Sequence, residues 1–282
     1  MNVLSLLKKN NFFLLFLIIF SVLINAQSKR FYYDLHFKKN ASDSIYVKDI
    51  LVLEVNKNSN IFLSNEYIVT DSLNTVHKDD KVFAYPKFKE VVEYQKDDNS
   101  FNFIHNLSMR YYQFNTKKKI NWKILNENKK IGNFEVTKAI AEYGGRKWTA
   151  WFCPEIPLPY GPYIFYGLPG IILEVFDEDE NFHFLFIQNK NYSTELESSD
   201  IIKKLFADRK INIQEKDWQK IQLNYYNNPI SEYKKGEAYM TKNDGTKYRA
   251  NDYRNLEKAI QSQIRAFNNP IELDKAVKYP EK

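Results

Sequence analysis

The sequence predicts an α+β protein built on a mainly antiparallel, curved β-sheet, with short helices that lie mostly toward the C-terminus. Its 282 residues include 20 tyrosines, 21 phenylalanines and 4 tryptophans, and aromatic side chains favour strands. Apolar residues alternate with period two before residue 200 and recur at helical spacing after it. Strands first and helices last is the order of an α+β fold rather than of an alternating parallel sheet.

The N-terminal segment, residues 1–26, has the three parts of a secretory signal peptide: Lys8 and Lys9, an apolar run, and Ala26 where a peptidase would cut. The apolar run, about 13 residues, is shorter than the roughly 20 that span a membrane, which favours removal after export over an uncleaved anchor. Removal leaves 39 basic against 35 acidic residues, a net charge of +4. Residues 27–282 are expected to form a single β-rich domain without a transmembrane segment, in the periplasm or outside the cell.

Strands are predicted wherever apolar and polar residues alternate. Phe31, Tyr33, Leu35 and Phe37 occupy every second position and therefore share one face of a strand. Further strands are predicted over residues 50–55, 101–104, 109–114, 120–124, 134–143, 171–176 and 182–188.

Helices are predicted in three places. Ser64 can accept a hydrogen bond from the free amides of a helix N-terminus, so it caps a helix over 65–73. Glu215 opens a second helix, and the third spans 252–267. Their apolar faces consist of Trp218, Ile221 and Tyr225 in the second, and of Tyr253, Leu256, Ile260, Ile264 and Phe267 in the third.

A β-hairpin is predicted around Gly144 and Gly145, because both positions of a two-residue type I′ turn need positive φ. This turn places Tyr143 opposite Arg146. The face expected to point to the core carries Ala139, Ala141, Trp148, Ala150 and Phe152. Trp151 lies on the other face and is expected to be partly exposed.

A proline-rich loop follows the hairpin. The chain has 8 glycines and 9 prolines, and ten of these 17 residues fall between Gly144 and Gly170. Proline cannot donate to a strand ladder, so the loop crosses between strands. Leu168-Pro169-Gly170 predicts a type II turn with positive φ at Gly170. The rings of this loop form either a plug over the core or a binding surface.

The same region carries a family resemblance. Residues 166–174 read Tyr-Gly-Leu-Pro-Gly-Ile-Ile-Leu-Glu and resemble the signature of the GLPGLI family of exported proteins from Bacteroidetes-type bacteria. The residues assigned to this signature and its structural surroundings are Gly144, Gly145, Arg146, Trp148, Gly161, Pro162, Gly167, Leu168, Pro169 and Gly170. The resemblance implies export and a shared fold. It supplies no catalytic residue, since the function of that family is unknown.

Several kinds of chemistry find no support in the sequence. Asp177, Asp179 and Asn181 begin like a calcium loop, but Phe182 and Gln188 stand where such a loop needs Gly and Glu, so a solvated hairpin turn is preferred. The four histidines are scattered, and no metal site or cofactor is predicted. The single cysteine is read as an apolar filler. A net charge of +4 does not favour nucleic-acid binding.

Two functional hypotheses remain open. The first is a non-enzymatic binding or carrier protein of the cell envelope, whose curved sheet holds an apolar ligand or partner such as a lipid, a peptide or an envelope protein. Its specific form is a half-barrel similar to periplasmic lipoprotein carriers, which is a fold analogy. The ligand contacts proposed for it are Trp151, Tyr160, Tyr163 and Tyr166. The alternative is a hydrolase-like envelope enzyme that uses Arg146, Glu155 or Glu174, with Glu174 expected to face solvent.

Overall fold

The computed structural model describes residues 28–77, 82–108, 110–194, 196, 198, 200–201, 204, 210–236, 241–242 and 244–281. The predicted signal peptide lies outside these residues. No helix in the described ranges is both long and apolar enough to cross a membrane.

Twelve strands in the described part of the chain form one open, mostly antiparallel sheet. They are β1 (Ser28–Phe37), β2 (Val47–Val55), β3 (Ser59–Ser64), β4 (Val91–Gln95), β5 (Ser100–Leu107), β6 (Arg110–Thr116), β7 (Lys123–Ile131), β8 (Phe134–Tyr143), β9 (Arg146–Cys153), β10 (Ile171–Asp177), β11 (Phe182–Tyr192) and β12 (Lys210–Asn212). The order across the sheet is β12-β6-β5-β4-β3-β2-β1-β11-β10-β9-β8-β7. Only the short β12 is parallel to its neighbour, β6. The predicted fold class is therefore confirmed.

The sheet consists of two meanders joined at its centre. Strands β1 to β6 pair in chain order on one side, and β7 to β11 pair in chain order on the other. The antiparallel pair of β1 and β11 joins them, with Phe37 opposite Phe182 and a bulge at Tyr32/Tyr33. Phe31, Tyr33, Leu35 and Phe37 are all buried on one face, as predicted.

The sheet curves around the proline-rich loop (residues 154–170). Phe103 of β5 lies 5.8 Å from Tyr163, measured between ring centroids. Tyr163 lies 6.3 Å from Phe165, which lies 4.5 Å from Trp148 of β9. β5 and β9 are seven strand spacings apart in the sheet order, about 33 Å along a flat sheet. Three ring contacts can bridge that distance only because the sheet bends.

The helices are α1 (Asn65–Val76), α2 (Trp218–Asn227), α3 (Ser231–Lys234) and α4 (Ala250–Ala266), with 3-10 turns at Glu215–Asp217 and Leu273–Lys275. Ser64 caps α1, because its hydroxyl accepts from the amide of Glu66 at 3.2 Å. Most of the helical residues follow the sheet, as predicted. Tyr226, outside the predicted apolar face of α2, is the residue of that helix that is fully buried.

The hairpin of β8 and β9 has the predicted register, with Tyr143 opposite Arg146 and Ala141 opposite Trp148. Gly144 and Gly145 both have positive φ, 62° and 75°. A Cβ on Gly144 would lie 2.9 Å from the backbone of Glu272, so the C-terminal segment covers the turn. This contact brings residues 268–279 over the inner face of the sheet.

Candidate ligand cavity

A cavity of about 820 Å³ lies between the inner face of the sheet and the C-terminal segments. Strands β1, β5, β6 and β11 supply one side of it, and the α2 region and residues 267–279 supply the other. Its aromatic lining consists of Phe37, Phe88, Phe103, Phe114, Tyr163, Phe182, Trp218, Phe267 and Tyr279. Leu107, Ile271 and Val277 add aliphatic surface. These side chains give the cavity a large apolar area, while about half of its lining residues are polar or charged.

His105 is the buried polar residue on the sheet side of the cavity. It follows Phe103 by two positions on β5 and so lies on the same face. Its ring stacks on Trp218 at 4.5 Å, with an angle of 11° between the ring planes. Nδ1 lies 2.9 Å from Oε2 of Glu90, which is the distance of an ion pair. The contact does not have the angles of a hydrogen bond. Nε2 is buried and has no hydrogen-bond partner among the described residues.

A network of two lysines and two glutamates borders the cavity. Lys118 and Lys275 both bond Glu215, and Lys275 also bonds Glu272. The hydroxyl of Tyr143 donates to Glu272. Burial acts to raise the pKa of Glu215, but hydrogen bonds from the two lysines outweigh it and lower that pKa to about 2. The four charges cancel, and they tie the sheet to the C-terminal segment.

Three further lysines, Lys87, Lys89 and Lys216, line the cavity while remaining exposed. They therefore lie where the cavity opens to solvent.

Arg146 fastens the C-terminal wall of the cavity to the hairpin. Its guanidinium donates to Asp177 Oδ2 at 3.0 Å, and both side chains are almost fully buried, at 3% and 1% exposure. It also donates to Asn269 Oδ1 at 2.5 Å and to the carbonyls of Pro270 and Ile271 at 2.9 and 3.1 Å. The side chain proposed as a catalytic candidate is thus fully engaged in holding residues 269–271.

Of the four predicted ligand contacts, only Tyr163 lines the large cavity. Tyr163 is 8% exposed and lines the cavity. Its φ of 57° is unusual for a tyrosine, so surrounding packing must impose this position. Tyr160 and Tyr166 are half-buried against Tyr94, with ring centroids 5.9 and 5.6 Å away. Together with Tyr163 they border a second void of only about 20 Å³, so three of the four predicted contacts do share one small space.

Trp151 lies on the face of β9 opposite to that of Trp148, Ala150 and Phe152. The ammonium of Lys129 lies 4.4 Å from its ring centroid. Beside it, Glu174 bonds Lys129 and lies 2.9 Å from Nε2 of His183. The expectation that Glu174 faces solvent is wrong, since it is 8% exposed beneath these partners. Burial alone would raise the pKa of Glu174. The hydrogen bonds from His183 and Lys129 outweigh that effect, so the pKa is lowered.

The proline-rich loop is a plug on its inner side. Ile164, Phe165 and Leu168 are buried completely or nearly so. Its glycines serve close approach and turning: a Cβ on Gly161 would lie 2.7 Å from the carbonyl oxygen of Phe165, and Gly167 has a φ of 95°.

The predicted type II turn at Leu168-Pro169-Gly170 is wrong. Gly170 does not have positive φ, and its amide bonds the carbonyl of Leu168 at 2.8 Å in a tighter turn. Glycine is required there for a different reason, because a Cβ would lie 2.2 Å from the carbonyl oxygen of Cys153.

Sequence reasoning missed His105 and most of the cavity lining. The signal that pointed to His105 was its place in the alternation after Phe101 and Phe103, which predicts a residue on the core face. The rings that oppose it, including Trp218 and Phe267, come from segments far apart in sequence. Residues that the structure describes include no group of three or more His, Cys, Asp or Glu side chains placed to hold a metal ion.

Comparisons with known proteins add a family and a few distant structures. The model of a family described as "Protein of unknown function (Porph_ging)" matches residues 141–174, which run from β8 through the proline-rich loop into β10. That description does not use the GLPGLI name, so this resemblance stays a prediction. Comparison with curated proteins gives no match.

Two solved structures of PNGF-II, in space groups P21 and C2, share 14% and 15% identity with this chain. They cover 69% and 67% of it, with TM-scores of 0.49 and 0.47. The aligned part spans only 33% and 31% of PNGF-II itself. An outer membrane lipoprotein-sorting protein domain from Vibrio parahaemolyticus shares 9% identity, covering 64% of this chain and 92% of its own, with a TM-score of 0.25. Likenesses at this level carry no inference about function.

Proposed function

We propose that this protein is an exported, non-enzymatic binding or carrier protein of the cell envelope that holds an apolar, lipid-like ligand in the cavity. The observation that carries the proposal is the cavity itself, about 820 Å³ in volume and with nine aromatic side chains in its lining. Ligand sites of about 300–1,000 Å³ with mostly apolar walls are typical of small-molecule binding. A lipid transferred between envelope partners fits this site better than an extended peptide, because no unpaired strand edge faces the cavity among its described lining residues.

Both sides of the cavity are held by contacts within the protein. The sheet side is held by strand pairing, and the other side is fastened through Arg146 and the network of lysines and glutamates around Glu215. An apolar ligand that enters gains about 25 cal/mol per Å² of apolar surface removed from water. Preformed walls reduce the ordering cost that would otherwise offset this gain.

The alternative, a hydrolase-like envelope enzyme, has weaker support. Arg146 is committed to Asp177, Glu155 is exposed, and Glu174 lies on the outer face of the sheet. None of these three candidates lines the cavity. Among the described lining residues there is also no Ser, Thr or Cys that could act as a nucleophile.

The test is binding of the apolar fluorescent probe N-phenyl-1-naphthylamine to the purified protein. We expect one probe molecule per chain, bound with an increase in probe fluorescence. Ala276 lines the cavity, and Ala276→Trp should weaken probe binding at least tenfold by filling that volume. Ala41 is exposed in the loop between β1 and β2 and lies outside the lining, so Ala41→Trp is the matched control and should leave binding unchanged.

Native mass spectrometry of the protein purified from its own host should also show a co-purifying lipid-sized molecule. The proposal fails if the wild-type protein does not bind the probe. It also fails if Ala276→Trp, folded by circular dichroism, binds the probe as tightly as Ala41→Trp.

A further inference from the structure

The charged side chains that line the cavity do not cancel one another. The lining contains five lysines and three glutamates, an excess of at least two positive charges. The network around Glu215 accounts for two of the lysines and two of the glutamates. The excess therefore belongs to Lys87, Lys89 and Lys216, and Glu90 is the acidic lining residue that remains to oppose them.

The ammonium groups of these three lysines are accessible to a ligand. All three residues are exposed, and none of their ammonium groups forms an ion pair with another described residue. Glu90 can offset at most one of the three charges, and its Oε2 is buried 2.9 Å from Nδ1 of His105. At least two positive charges of the lining thus lack an acidic partner in the part of the chain that the structure describes.

The segments that carry the lysines meet at one residue of β5, although they are far apart in sequence. Lys89 directly precedes Glu90, and Lys216 lies two residues before Trp218. Glu90 and Trp218 both contact the ring of His105, at 2.9 Å from Nδ1 and at 4.5 Å between ring centroids. The fold therefore brings positive charge from both segments to the same part of the cavity, where it opens to solvent.

We infer that the ligand of this cavity is an amphiphile with an anionic headgroup, a carboxylate or a phosphate, which Lys87, Lys89 and Lys216 hold at the opening while the apolar chain lies among the aromatic rings. This inference rests on the proposed function and specifies the lipid-like ligand. A headgroup at the opening stays hydrated, so its charge is not buried without a partner. Exposed ion pairs are individually weak, so the lysines supply a preference for anions, and burial of the chain supplies most of the affinity.

The experiment measures how dodecyl ligands with different headgroups displace N-phenyl-1-naphthylamine at pH 8 and low ionic strength. The ligands are dodecanoate, dodecyl phosphate, dodecyltrimethylammonium and, as the neutral reference, 1-dodecanol. We expect both anions to bind about tenfold more tightly than the cation, and this preference should shrink in about 0.5 M NaCl because exposed charges are screened. The tighter of the two anions identifies the headgroup.

The triple variant Lys87→Gln, Lys89→Gln, Lys216→Gln separates the lysines from the apolar walls. It should bind both anions about tenfold more weakly than the wild type does, while its affinities for 1-dodecanol and for the probe stay unchanged. Comparison with the neutral alcohol removes the contribution of the chain, because all four ligands carry the same dodecyl group.

The matched control replaces three exposed lysines outside the lining, Lys57, Lys123 and Lys190. Lys57→Gln, Lys123→Gln, Lys190→Gln changes the net charge by the same amount but should bind the anions as the wild type does. An equal loss of anion affinity in the two triple variants would overturn the inference, as would a wild-type preference for the cation. If the probe binds but neither anion displaces it, the inference is refuted while the cavity remains. If the probe itself does not bind, the proposed function fails as well.

Discussion

Replacement of Arg146 by methionine tests how the cavity wall is held. The guanidinium makes four hydrogen bonds, one to the buried Asp177 and three to residues 269–271. Arg146→Met keeps much of the side-chain volume but leaves Asp177 buried without its cation. Asp177 retains hydrogen bonds from the amides of Phe182 and Asn181, at 2.7 and 3.1 Å, which compensate only partly.

The expected loss in the free energy of unfolding is about 3–5 kcal/mol, the range for removal of one partner of a buried ion pair. The assay is urea unfolding followed by tryptophan fluorescence. Lys147 provides the control on the same strand, because it pairs with Glu178 at 3.2 Å with both side chains about two-thirds exposed. Lys147→Met should change the free energy of unfolding by no more than about 0.5 kcal/mol.

A second readout separates the wall from the rest of the fold. Asn269 and Ile271 line the cavity, so Arg146→Met should also weaken binding of N-phenyl-1-naphthylamine under conditions in which the sheet remains folded. The double variant Arg146→Met, Asp177→Asn should recover part of the lost stability, since it no longer buries an unpaired carboxylate. A loss of less than about 1 kcal/mol in the single variant, similar to that of Lys147→Met, would show that this pair does not hold the segment.

Two further predictions concern backbone packing and pH. Gly170→Ala should lower the melting temperature much more than Gly132→Ala, because its Cβ would lie 2.2 Å from the carbonyl oxygen of Cys153, whereas Gly132 has open space around it; equal shifts in the two variants would contradict the close approach. The pKa of Glu215 is lowered to about 2 in the folded protein, against about 4.3 unfolded, so its stabilising contribution is complete above about pH 4.3 and is lost as the pH falls toward 2. Glu215→Gln should therefore be less stable than wild type at pH 7, with the difference in urea midpoint shrinking between pH 5 and pH 2; a constant difference would refute the assignment.

Local sequence patterns correctly predicted the features that are determined by residues close together in the chain. The hairpin at Gly144 and Gly145 and the cap at Ser64 depend on backbone conformation and on side chains within a few residues, so they were predicted correctly. The predicted strand over 120–124 was displaced, because β7 begins at Lys123. As an edge strand with exposed, charged positions, β7 lacks the apolar alternation of a half-buried strand.

The cavity could not be predicted in the same way. Its walls bring His105 of β5 together with Trp218 of α2, and no local pattern links the two. Gly170 shows a related limit. The sequence correctly indicated a position that requires glycine, but a glycine can be required either by a positive φ or by a close approach of another part of the chain. At Gly170 the second reason applies. Trp151 was grouped with the loop tyrosines by proximity in sequence, although alternation along β9 places it on the opposite face of the sheet.

The seam between the two meanders has a consequence for how the chain folds. Within each meander every strand pairs with its neighbour in sequence, so those contacts are local and close short loops. The pairing of β1 with β11 is different, because residues 28–37 must meet residues 182–192 across most of the described sheet. The entropic cost of closing that long loop is therefore offset by the contacts of a single strand pair. Until β11 arrives, β1 presents an apolar, unpaired edge to its surroundings, which makes this strand the point at which a nascent chain is most exposed to wrong pairing.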